Sequence, residues 1–272
     1  MTRVIGKDTR LCMSLAGRPG NFGSRFHNHL YDQLGLDFIY KAFTTADLPA
    51  AIGGIRALGI RGCAVSMPFK EAVIPLIDGL EPSAAAIDSV NTIVNDAGRL
   101  TGHNTDYVAI RRLLERHGVA PETSFLLRGS GGMAKAVASA LRDAGFRHGT
   151  IVARNREAGP RLARRLGYQW RAEPGEARAA MLVNVTPIGM AGGAEAEEMA
   201  FTPAAVAAAE IAFDVVAMPA ETPFIRAARA AGKTVITGAE VILLQALEQF
   251  VLYTGVTPTV EQAEAAAAFA RG

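Results

Sequence analysis

Short apolar runs, most of them rich in β-branched residues, alternate along this chain with stretches whose apolar positions recur at helical spacing. Residues 11–15 and 37–43 read as strands, with a helix over about 24–34 between them. A second helix, 46–58, leads to a strand at 62–66, and another strand follows at 89–94. A helix over 107–117 then runs through Gly118 and Pro121 into a strand at 124–127, a glycine-rich turn and a helix over 135–141 that ends before Gly145. Strands at 150–153, 181–185, 211–216 and 234–237 complete the second half, each separated from the next by helical or loop sequence. Alternating β and α predicts largely parallel sheets covered on both faces. The apolar helix 241–253 and the Ala-rich tail have no strand after them, so they are expected to pack back onto the first half.

Length and composition narrow this to an ordinary globular protein. At 272 residues the chain suits two modest domains, and half of its residues are apolar and a fifth charged. A net charge of +2, with both signs interspersed, gives no nucleic-acid or membrane surface. The Ala-rich stretch 203–217 is broken by Glu210 and Asp214, and residues 1–8 have no apolar leader, so a cytoplasmic protein is expected. Cys12 and Cys63 lie far apart in apolar surroundings and read as buried free thiols. The five histidines show no metal spacing, and His27 and His29 point to different faces of a helix, so no metal site is expected.

The most informative stretch is Gly129-Ser130-Gly131-Gly132-Met133-Ala134, placed between a strand and a helix. Glycines there let the backbone approach a pyrophosphate closely, and the helix N-terminus offers free N–H groups and a positive dipole end. An NAD enzyme usually carries an acidic residue after the next strand, to bond the ribose 2′-hydroxyl. Here Arg154-Asn155-Arg156 stands in that place and the first acid is Glu157, so NADP is the expected cofactor, an arginine there suiting the 2′-phosphate. Elsewhere, polar residues gather at strand ends: Ser66 and Lys70, Asn91 and Thr92, and Asn104-Thr105-Asp106. Taken singly, Lys70 reads as a solvated lysine at a helix start and Asp106 as a helix cap.

Together these motifs resemble the shikimate dehydrogenase family, most closely its shikimate dehydrogenase-like branch. The resemblance rests on Met67-Pro68-Phe69-Lys70, Ser89-Val90-Asn91-Thr92, Asn104-Thr105-Asp106 and the glycine turn. It continues through Asn184-Val185-Thr186-Pro187-Ile188-Gly189-Met190, Thr222-Pro223-Phe224 and Gln245, nearly the whole chain. It implies an α/β substrate domain (1–105 with 240–272) and a Rossmann-type doubly wound NADP domain (106–239), the C-terminal helices returning to the first. It implies Lys70 and Asp106 as the catalytic pair, and Ser14, Ser66, Asn91 and Gln245 as substrate ligands. For the cofactor it implies Gly129, Ser130, Gly131, Gly132, Met133, Ala134, Arg154, Asn155, Thr186 and Gly238. Oxidation of a secondary alcohol needs a base for the hydroxyl proton, which a lysine of lowered pKa can supply, while a neighbouring carboxylate orients the hydroxyl and the ammonium.

Three departures from the family pattern matter, two of them at the substrate. The family's N-terminal Ser-x-Ser-Pro is Ser14-Leu15-Ala16 here, with Ser24 as an alternative donor after an insertion. Its Asp-x-x-Tyr is Asp214-Val215-Val216-Ala217, which lacks the hydroxyl, and Arg128 precedes the first glycine where an apolar residue is usual. Interconversion of shikimate and 3-dehydroshikimate at reduced activity is therefore expected, in a monomer or homodimer. A dehydrogenase of quinate or another cyclic hydroxy acid, and an NADP-binding regulator, remain as alternatives.

Overall fold

Two six-stranded sheets organise the chain, each in its own unit. The computed structural model describes residues 4–272, so the first three residues, read above as part of a leaderless start, lie outside the described residues. One unit takes the chain up to Thr105 together with Leu243–Gly272, and the other takes Asp106–Ile242.

The first sheet has β1 (Arg10–Leu15), β2 (Phe38–Phe43), β3 (Gly62–Val65), β4 (Gly79–Leu80), β5 (Thr92–Asp96) and β6 (Arg99–His103), in the order β2-β1-β3-β5-β6-β4. β1 pairs parallel to both β2 and β3, but β5 runs antiparallel to β3 and β6. The sheet is thus mixed, where the sequence predicted a mostly parallel one. The cause is a tight hairpin between β5 and β6, whose two loop residues, Ala97 and Gly98, both take positive φ (52° and 91°). That is the geometry of a type I′ turn, which matches strand twist.

Side chains alternate across β1. Cys12 points to a cluster with Phe26, Leu30 and Tyr31 of α1 (Phe22–Gln33). Phe250 and Tyr253 of α9 (Gly238–Thr254) and the alanines of α10 (Val260–Arg271) complete that cluster. Met13 and Leu15 point to the other face, against Ile52 and Ile55 of α2 (Leu48–Ala57). The Tyr253 ring lies so close to β3 that a Cβ on Gly62 would fall 2.2 Å from it. The expected return of the C-terminal helices to the first half is present, with α1 packed on α10.

Two local expectations fail in this unit. The strand read at 89–94 begins only at Thr92, after a loop that follows α3 (Pro82–Ala85). No α-helix starts at Lys70: residues 67–73 form turns that pass into a 3₁₀ turn at Ile74–Leu76. Pro75 supplies the reason, since it has no N–H to donate and disfavours helical backbone in the residue before it. Lys70 therefore faces no opposing helix dipole.

The second sheet is wholly parallel. It holds β7 (Phe125–Arg128), β8 (Gly149–Val152), β9 (Gln169–Arg171), β10 (Met181–Asn184), β11 (Ile211–Asp214) and β12 (Thr234–Ile236), in the order β12-β11-β10-β7-β8-β9. The helices of this unit are α4 (Thr105–Arg116, whose first residue belongs to the other unit), α5 (Gly132–Asp143), α6 (Ala158–Leu166), α7 (Pro203–Ala208) and α8 (Pro223–Ala230). Strand order reverses between β7 and β10, and such a switch point is where open α/β sheets bind ligands. Leu126, Val152 and Leu182 from the sheet pack with Phe201, Val206 and Phe224. Among the described residues no helix is long and apolar enough to cross a membrane, and no cluster of three metal-ligating side chains forms. Cys12 and Cys63 are buried and free, and burial pushes the Cys12 thiol up to about 12.

Candidate active site

At the switch point of the second sheet lies a cavity of about 360 Å³. It is lined by the glycine turn, the ends of β8 and β9, and Val185-Thr186-Pro187-Ile188 after β10. Gly129 takes φ +135°, and a Cβ there would stand 2.7 Å from the Val185 side chain, so the protein itself demands glycine. Gly131 and Gly132 are different: a Cβ on either would meet only open space. Packing gives no reason for those two glycines, whereas a ligand lying directly on the backbone does. Gly131 precedes α5 in extended conformation and no side chain caps that helix, which leaves its first N–H groups facing outward.

The other residues expected around a cofactor are placed unequally. Ser130, Arg154, Asn155 and Thr186 line the cavity. Asn155 Oδ1 is already used, accepting from the Glu157 and Ala158 N–H groups at the start of α6. Met133 is half-buried and Ala134 fully buried, so Ala134 has only backbone to offer a ligand. Gly238 lies outside the cavity lining and packs against backbone, with a Cβ there 2.2 Å from the Val216 carbonyl.

Two charged residues that the family motifs do not name, Arg128 and Glu173, join this wall, and a third, Glu195, pairs with one of its arginines. Arg128, at the end of β7, is half-buried, donates to the Ala200 carbonyl and lines the cavity. Burial lowers its pKa; Glu173, Glu195 and Glu198 act against that lowering, and Arg154 adds to it. Glu173, two residues past β9, is part of the lining, and Glu195 pairs with Arg154 at 3.8 Å.

Behind the cavity, β10 and β11 are tied by a buried polar chain. Thr186 Oγ1 donates to Asn184 Oδ1 at 2.6 Å, and Asn184 Nδ2 donates to Asp214 Oδ1 at 3.0 Å. Asp214 also accepts from the Val216 N–H and from the hydroxyl of Thr222, which caps α8. Burial pushes the Asp214 carboxyl up to about 6 despite these donors. Asp214, the acid of the altered Asp-x-x-Tyr, thus braces two strand ends and a helix cap, and Ala217 follows half-buried in the next loop.

In the first unit the substrate candidates are joined by backbone and side chain. Ser66 is exposed just past β3, with its N–H bonded to the Leu15 carbonyl. Lys70 is half-buried, and its carbonyl accepts from the Val90 N–H at 2.8 Å, which sets it beside Asn91 in the fold. Asn91 is buried; its Nδ2 donates to Thr105 Oγ1, and its Oδ1 accepts from the Thr105 N–H and the Thr92 hydroxyl. Gln249 Nε2 bonds the Thr92 hydroxyl at 3.0 Å and the Asn91 carbonyl at 3.3 Å. Sequence reading chose Gln245, one helical turn earlier, which is half-buried and whose side chain makes no hydrogen bond among the described residues. Gln249, by contrast, supports Asn91.

Ser14 sits on the Cys12 face of β1 as a hydrogen-bond neighbour of the Tyr40 hydroxyl. Ala16 is buried, so no second hydroxyl stands there, and Ser24 lines a separate cavity of about 350 Å³ with Asn21, Asn28 and Lys41. Asp106 is the first residue of the second unit, buried in the first turn of α4. It is not the residue preceding the helix, so the capping role read from sequence passes to others: the Thr105 N–H is met by Asn91.

Residues 22–93 match the shikimate dehydrogenase substrate binding domain. Over 268 residues the chain is 58% identical to a shikimate dehydrogenase-like protein of Haemophilus influenzae, covering 98% of this chain and 99% of that one. Among solved structures, shikimate 5-dehydrogenase of Thermus thermophilus, in complex with NADP(H) and shikimate, superposes with a TM-score of 0.82 at 32% identity, covering 96% of this chain and 99% of that one. Quinate dehydrogenase of Corynebacterium glutamicum in complex with NAD superposes with a TM-score of 0.86 at 28% identity, covering 95% and 98%.

Proposed function

The chain belongs to the shikimate dehydrogenase family of NADP-dependent oxidoreductases, and we propose that it interconverts shikimate and 3-dehydroshikimate, with lower activity than enzymes holding the full hydroxyl set. The observation that carries the cofactor half of this reading is the pair Gly131 and Gly132, which no protein atom crowds, at an uncapped helix start beside Arg154. A dinucleotide pyrophosphate fits that cradle and a 2′-phosphate fits the arginine. NADP⁺ supplies the hydride acceptor when bound.

The protein's own residues then have to manage the substrate. Lys70 takes the proton of the reacting hydroxyl during oxidation and returns it during reduction, and Asp106 orients that hydroxyl. Ser66, Asn91 and Gln245 hold the remaining hydroxyls, with Ser14 or Ser24 at the carboxylate. General-base help of this kind contributes roughly 10²–10⁴ in rate. Ala16 and Ala217 leave two substrate hydrogen bonds unmade, each worth about 1–3 kcal/mol where a polar group is stranded. Turnover of shikimate one to several powers of ten below that of a full-set enzyme follows.

Quinate is the second substrate to weigh, because a quinate dehydrogenase is among the structural neighbours and ring-hydroxyl contacts are what this chain alters. NADP⁺ reduction followed by absorbance, with shikimate and quinate offered separately, tests the reading. Shikimate should be the better substrate, and Ala217→Tyr should raise its turnover. Faster quinate turnover, unimproved by tyrosine, would move the assignment to quinate.

A further inference from the structure

The arginine expected to grip a 2′-phosphate is already engaged. Arg154 Nη1 lies 3.8 Å from Glu195 Oε1, and the carboxylate is the better-fixed partner, 31% exposed against 69% for the arginine side chain. Its fixation is legible in the backbone. The Glu195 carbonyl accepts from the Gly189 N–H at 2.9 Å and from the Glu198 N–H at 3.2 Å. Gly189 in turn sits at φ +85°, where a Cβ would meet Thr222 at 3.1 Å, and Thr222 is bonded to buried Asp214. The loop bearing Glu195 is therefore anchored to the ends of β10 and β11, while Arg154 projects from the end of β8.

Negative charge is not confined to Glu195. Glu173 lines the same cavity, and Glu198 joins Glu173 and Glu195 in the field around Arg128. A phosphate entering here meets Arg128, Arg154 and Glu173, with Glu195 paired to Arg154 and Glu198 near enough to act on Arg128; a bare ribose hydroxyl instead donates a hydrogen bond to a carboxylate. Like charges brought together oppose binding, and an existing ion pair must be broken before the arginine can serve a new anion.

Building on the dinucleotide reading of this cavity, we propose that Glu195 is a positioning residue that sets the balance between the two nicotinamide dinucleotides. It holds Arg154 in an ion pair that the 2′-phosphate of NADP⁺ has to displace and that NAD⁺ leaves intact. The chain thereby carries a weaker preference for the phosphorylated cofactor than its arginine alone implies.

Calorimetric titration of the protein with NADP⁺ and with NAD⁺ separates the possibilities, using wild type, Glu195→Gln, Arg154→Ala and the double variant, each checked for an unchanged melting temperature. Glu195→Gln should tighten NADP⁺ roughly 2- to 5-fold and leave NAD⁺ affinity essentially unchanged. The gain should vanish in the Arg154→Ala background, since it acts through that arginine. Unchanged NADP⁺ affinity in Glu195→Gln, an equal gain for NAD⁺, or a gain that persists without Arg154 would overturn the proposal. In those cases a loss of NADP⁺ affinity in Arg154→Ala would still uphold the cofactor reading. A wild-type protein that binds neither dinucleotide would remove both.

Discussion

Asn91 Oδ1 accepts the backbone N–H of Thr105 at 2.8 Å, so the side chain proposed to hold a substrate hydroxyl also begins the helix that carries Asp106. One residue is thereby tied to two proposed roles, ligand binding and the placing of the carboxylate that orients the reacting hydroxyl. Gln249 braces the arrangement from α9 through the Thr92 hydroxyl.

Asn91→Ala should consequently do more than weaken substrate binding. It strands the buried Thr105 N–H and removes the acceptor of the Thr92 hydroxyl, at a cost of about 1–3 kcal/mol of stability. In steady-state kinetics kcat should fall along with a rise in KM, because Asp106 loses its support. A rise in KM alone, at unchanged urea stability, would mean that Asn91 serves only as a ligand.

His27 gives the first unit an acid sensitivity. The ring is fully buried, stacked on Tyr40 at 4.4 Å, and burial lowers its pKa to about 3, with Gln249 opposing weakly. Between that value and 6.5 the unfolded chain binds the proton and the folded chain does not. Stability is therefore full above the ordinary histidine pKa and falls as pH drops, by about 1.4 kcal/mol per unit. His27→Phe keeps an aromatic ring in the stack and should flatten that slope, read as hydrogen exchange in α1 at about pH 5 and pH 7. An identical slope in the variant would acquit His27.

Asp214 acts with the opposite sign in the second unit. Its carboxyl is raised from 3.8 to about 6, so across that interval the folded state holds the proton more tightly than the unfolded one. The second unit loses stability as pH rises from about 4 to 6, on the order of 3 kcal/mol in all, and is flat above that. Asp214→Asn should remove this loss and gain most over wild type near pH 7. Trp170, the lone tryptophan of the chain, lies in β9 and reports this unit by fluorescence. An Asn variant no better relative to wild type at about pH 7 than at about pH 4 would contradict the shift.

The alternation of strands and helices was legible because buried parallel strands are short β-branched runs and the glycine turn announces its own use. The β5–β6 hairpin was not. Its turn carries Ala97 at φ 52°, a conformation that alanine disfavours and no sequence rule would assign to it. β9 was missed because only three residues pair, and with it went Glu173. Glu195 depends on a loop fold that spacing cannot reveal, and Gln249 belongs to none of the motifs that selected Gln245, so its bracing of Asn91 shows only in its contacts.

The same turn offers a stability test. Ala97→Asn creates the Asn-Gly pair that a type I′ turn prefers and should stabilise the protein by about 1 kcal/mol, since asparagine enters the left-handed region more readily than alanine, seen as a higher urea midpoint with unchanged slope. A destabilised variant would mean that Ala97 does not hold the left-handed conformation in solution.

The most direct test of the central assignment is shikimate-dependent NADP⁺ reduction by Lys70→Ala, with NADP⁺ affinity and melting temperature measured on the same protein. Turnover should fall roughly 10²- to 10⁴-fold while affinity stays within about twofold and the melting temperature holds. Near-normal turnover in that variant would remove Lys70 from the chemistry and with it the proposed mechanism.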